Sequence, residues 1–209
     1  GVARGLRNLA GAKVDIGQNA EALEDYKAAR QMFGELGDSE GVATCVTNSA
    51  LLVFRYQGRQ ATIQEYKNEL AKGDCSHFLV YNNIGFLQLL EGTYAEAREN
   101  LEKGALDCQE RKVGDDNLGL LHLNLGIIAT IEKQYDKADE HYKHATEIFT
   151  AYPAGRAVEV CLIPSEAAEK HQLPLFFSTD DAQKIAITLL NTAVNAWERG
   201  QKELALELC

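Results

Sequence analysis

Proline is scarce: there are 3 in 209 residues, and none before Pro153. Long helices are therefore unobstructed ahead of that point, because an interior proline removes a backbone hydrogen bond and clashes with the preceding turn. No apolar run approaches the roughly 18 residues that a membrane span requires. Gly1 leads straight into a helical pattern, and no secretory signal peptide is expected. The five cysteines (Cys45, Cys75, Cys108, Cys161 and Cys209) are widely spaced and form no C-x-x-C pair. That argues against a zinc site or a dense disulfide framework, and reduced thiols in a cytoplasmic protein are expected. Positive charge is also short: 21 Lys and Arg stand against 31 Asp and Glu, a net charge of -10. A phosphate backbone needs clustered cations, so nucleic acid is not an expected partner. No glycine-rich phosphate loop, H-E-x-x-H or G-x-S-x-G occurs, so neither catalysis nor a cofactor is expected.

What is present is periodicity. Hydrophobic residues make up 45% of the chain, enough for a core. Residues 118–149 carry Leu121, Leu125, Ile128 and Ile131 at helical spacing, then Ala138, Tyr142 and Ala145 in a second stripe. Gly126 and Ala138 are small where the two helices must pass closest. The same form recurs. Residues 6–33 carry Leu6, Leu9 and Val14, a turn at Gly17, then Ala22, Tyr26 and Ala29. A second copy turns at Gly58 and continues with Thr62 and Tyr66, but Glu69 falls where other copies have Ala or Gly. A third has Gly85, a turn at Gly92, then Ala97, Leu101 and Gly104. A last copy has Ala193, a turn at Gly200, and Ala205. The steps from Ala22 to Thr62, Ala97 and Ala138 are 40, 35 and 41 residues. The connectors LGDSEG (36–41) and VGDDNLG (113–119) echo each other.

These helical hairpins resemble tetratricopeptide repeats (TPRs), whose period is about 34 residues. The longer spacing and the Gly-Asp connectors are similar to the LGN/Pins and kinesin light chain groups. The resemblance implies an all-α TPR solenoid, a right-handed superhelix of stacked antiparallel hairpins. Four hairpins are expected over residues 1–152, an insertion over 153–180 and a partial fifth hairpin over 181–209. The stop at Cys209 falls inside that hairpin, so a fragment of a longer protein is expected. TPR proteins use the concave groove of such a stack, lined by the first helices, to hold peptides or partner chains.

One asparagine recurs two residues before the small residue of each first helix: Asn8, Asn48, Asn83, Asn124 and Asn191. In related TPR groups this ladder faces the groove. An amide offers both donors and an acceptor, so it can hold a peptide backbone without reading side chains. The alternative is that the asparagines bond adjacent units together, and both roles can hold. Among the groove neighbours, Arg4 and Arg7 make one end polar and basic, while Phe86 and Ile127 make the other apolar. The expected ligand is a linear protein segment, part acidic and part apolar. A carboxylate clamp of the chaperone-adaptor kind is not expected: only Arg7 and Asn48 are compatible with it, whereas Leu79, Asn83 and Gly11 depart from its pattern.

Residues 153–180 contain Pro153, Pro164, Pro174 and the patch LPLFF, read as folding back onto a neighbouring unit or as a partner-binding patch. His141 and His144, with Asp139, Glu140 and Glu147 nearby, are read as a solvated face rather than a zinc site. His122 is read as a packed core histidine. Trp197 is read as core, with an exposed partner anchor as the alternative. Rival functions are a dimerisation module using the uncovered last hairpin and a regulatory domain of a larger enzyme or transcription factor.

Overall fold

The computed structural model describes residues 1–73, 77–112, 116–151 and 181–208. Among these, all regular structure is helical: α1 (Val2–Asp15), α2 (Asn19–Glu35), α3 (Ser39–Gln57), α4 (Arg59–Ala71), α5 (Phe78–Glu91), α6 (Tyr94–Glu110), α7 (Asp116–Ile131), α8 (Tyr135–Ala151), α9 (Asp181–Glu198) and α10 (Lys202–Glu207). The chain divides into two compact units, Gly1–Leu87 and Gln88–Cys209, and the division falls within α5. The expected fold of LPLFF lies outside the described residues.

In the first unit, α1 packs on α2, α2 on α3 and α3 on α4. Ala10, Ala22, Tyr26 and Leu52 form one buried cluster, with Val14 and Leu23 against it. Leu9, expected in the apolar stripe of α1, is instead exposed. The buried face of α1 is set by Ala3 and Ala10. At about 100° per residue, Leu9 points well away from that direction. The LGDSEG connector starts a helix because Asp38 accepts a hydrogen bond from the Gly41 amide at 2.8 Å, capping one of the orphan donors of α3.

Glu69, the residue that broke the repeat pattern, is buried in α4. It bonds Arg30 of α2 at 2.8 Å and also engages Lys72. A carboxylate at a small-residue position survives burial only with such partners. The second copy is thus irregular because it replaces an apolar contact by an ion-paired one.

In the second unit, α6 packs on α7, α7 on α8, and α9 on α8 and α10. Gly126 does sit at the closest approach: a methyl added there would fall 2.5 Å from the Tyr142 ring. Gly119 stands in the same relation to Phe149, at 2.4 Å. The turns use left-handed backbone, and Gly92 adopts φ 79° between α5 and α6. Between α7 and α8 that conformation falls on a non-glycine, Lys133, with φ 61°.

The sequence reading missed how α9 is fastened to α8. Asn195 is fully buried. Its amide donates to the Asp139 carboxylate at 2.5 Å and to the Tyr135 carbonyl at 3.2 Å. Its oxygen accepts from the Thr130 hydroxyl at 3.2 Å. Arg199, one turn further on, spans Asp136 at 2.6 Å and Asp139 at 3.1 Å. Asn195 lies one turn beyond the ladder residue Asn191, and the spaced Asp136/Asp139 pair was the only available signal.

Candidate functional site

The repeated asparagine sits on the first helix of each hairpin. In the first unit, Asn8 is exposed on α1, near exposed Arg4 and half-buried Arg7. The Arg7 guanidinium lies 5.9 Å from the centre of the Phe33 ring, within the usual cation–π range. Asn48 on α3 is half-buried and hydrogen-bonds the Tyr26 hydroxyl; burial raises the pKa of that phenol, and the Asn48 bond opposes the rise.

Asn83 on α5 is half-buried as well. Its Nδ2 donates to the Thr47 hydroxyl at 3.3 Å and to the Tyr66 hydroxyl at 3.2 Å. Tyr26 and Tyr66 follow Ala22 and Thr62 by four residues in successive second helices. The rung therefore reaches back to one tyrosine position of the preceding hairpin. Those two bonds use both amide protons of Asn83. They fix the amide plane and leave Oδ1 as the group for a further donor.

In the second unit the same slot is closed. Asn124 is 1% exposed and Asn191 is 0% exposed. Both are packing residues in this structure. Phe86, at 5%, and Ile127, at 1%, are also core side chains. Their expected place on the ligand-facing surface is corrected accordingly: three residues beyond the ladder, each side chain turns into its unit's core. The residues left open to a ligand are Arg4, Arg7, Asn8, Asn48 and Asn83.

Two other readings change. Trp197 is 52% exposed, not core, and Lys202 lies over its ring at 5.4 Å. His141 is not on a solvated face: it is half-buried, with its Nδ1 3.1 Å from Nδ1 of His122. Among the described residues, no group of three or more His, Cys, Asp or Glu is set to hold a metal ion.

Residues 77–151 match the family model described as Tetratricopeptide repeat. With the paired helices, this defines a TPR fold, whose general role is to scaffold protein–protein contacts. Among solved structures, the crystal structure of BtubC (BKLC) from P. vanneervenii is similar, with a TM-score of 0.69 at 15% sequence identity. The match covers 97% of this chain and 75% of that chain. At this identity the likeness speaks for the fold. A search of the curated proteins finds no match. No helix among the described residues is long and apolar enough to cross a membrane.

Proposed function

We propose that this protein is an adaptor that holds an extended peptide segment of a partner on the first helices of Gly1–Leu87. The observation that carries the reading is the oriented amide of Asn83. Two hydroxyls hold its donors, which leaves its oxygen for a backbone N–H. Asn48, held by Tyr26, repeats the arrangement one hairpin earlier. Packing and binding are compatible here, since the packing bonds pre-orient the rung and lower the entropy lost on binding. Arg4 and Arg7 favour an acidic residue toward the α1 end of the peptide. The buried thiols of Cys45 and Cys108 fit a reducing cytoplasm.

A random peptide display library selected on the whole chain tests this reading. The expected outcome is enrichment of acidic sequences without a strict side-chain consensus, with Asn48→Ala/Asn83→Ala lowering affinity about tenfold, the worth of one to two hydrogen bonds. Equal affinity for the double variant would overturn it.

A second reading, self-assembly, draws on the last hairpin, where Trp197, Leu190, Leu204 and Leu206 are exposed. Exposed aromatic and aliphatic residues of this kind anchor interfaces. Light scattering across a concentration series tests it: a constant monomer mass would remove it.

A further inference from the structure

Three of the chain's five histidines meet in one hairpin. His122 lies on α7; His141 and His144 lie three residues apart on α8. The His122 and His141 rings are 5.4 Å apart centre to centre, with their Nδ1 atoms at 3.1 Å. The His144 ring meets His122 edge-on at 5.1 Å. At 3.1 Å the two Nδ1 atoms share a single proton, so one ring donates and the other accepts. The contact therefore closes the α7–α8 interface only while the pair carries fewer protons than it could.

We propose that the His122–His141–His144 cluster is an acid-sensitive fastener of the α7–α8 hairpin, closed at neutral pH and released on acidification. Burial first, and then the neighbouring His141 and His144, push the His122 pKa down to about 4. Burial, with His144, also lowers that of His141; Glu140 opposes the shift and Lys137 adds to it. The charges acting on the pair thus come from α8 itself. In the unfolded chain a histidine titrates near pH 6.5. The folded value is the lower one, so the opened hairpin binds more protons than the closed one. Its full stability is present above about pH 6.5, is lost as pH falls from there, and levels off below about pH 4.

The consequence is local. The hairpin that loosens also carries Asp136 and Asp139, the anchors for Arg199 and Asn195 of α9. Acidification therefore weakens the seat of α9 as well. The α1–α2 hairpin, which contains no histidine, has no such device.

Hydrogen exchange of the whole chain at pH 7 and pH 5, corrected for intrinsic rates, tests this. The His122 shift alone predicts a roughly 20-fold loss of protection in α7–α8 between the two. Protection in α1–α2 is expected to change severalfold less. His122→Gln should flatten the α7–α8 response, and His141→Gln serves as the second variant if the first fails to fold. Parallel changes in the two hairpins, or a pH response that survives both substitutions, would overturn the proposal.

Discussion

In Gly1–Leu87 the repeated asparagine stays within reach of solvent, whereas in Gln88–Cys209 it is enclosed. Asn83 and Asn124 hold one position in successive repeats. Asn83 is fixed by two hydroxyls at its edge, and Asn124 is 1% exposed. A shared slot in a repeat therefore sets where a side chain starts, not what it does. The neighbours decide that. The small-residue position shows the same divergence. Ala10 packs a methyl in the first hairpin, while Gly126 presses its backbone against the Tyr142 ring.

The largest test of the difference acts on that contact. Gly126→Ala forces a methyl to within 2.5 Å of the Tyr142 ring and should destabilise the protein by about 3 kcal/mol, the upper end for overpacking. Gly11→Ala in the first unit meets only the Tyr26 hydroxyl, at 3.7 Å. It should be neutral or stabilise by up to about 1 kcal/mol through helix propensity. Thermal or denaturant unfolding reads both, and equal losses would break the contrast.

Glu69→Ala should destabilise by about 2 kcal/mol, less than a fully buried pair because Lys72 is half in solvent. Adding Arg30→Met should recover part of this loss in a double-mutant cycle. Asn124→Ala should lose about 1.5 kcal/mol, since its buried hydrogen-bonding neighbourhood is left unsatisfied. Asn8→Ala on exposed α1 should change stability by less than about 0.5 kcal/mol. Opposite in sign is Lys133→Gly. It relieves a left-handed residue at φ 61° and should stabilise by about 1 kcal/mol, seen as a small rise in Tm.

The helical architecture was legible in the sequence because each hairpin repeats its apolar stripe, and Tyr26, Tyr66 and Tyr142 all lie in the core as their spacing requires. The asparagine slot was legible too, but not its exposure. Whether an amide is enclosed depends on helices distant in sequence, and those did not enter a count of residues along one helix. Phe86 and Ile127 failed for that reason, since a fixed offset from the ladder ignores which neighbour covers the side chain. The His122–His141 contact was missed because the two residues lie 19 positions apart on separate helices. Trp197 was misplaced because its stripe position alone does not say whether another helix covers it. Glu69 was correctly noticed as an exception, and only the fold supplied Arg30 as its reason.

The division between open and closed rungs is tested most directly by titrating one library-selected peptide calorimetrically into wild type, Asn83→Ala and Asn124→Ala under identical conditions. Asn83→Ala should weaken the peptide about threefold, half of the double variant's loss in free energy, with only a small change in Tm. Asn124→Ala should lower Tm and leave Kd unchanged. If Asn124→Ala weakens the peptide and Asn83→Ala does not, the open rung is not the binding one and the assignment is contradicted.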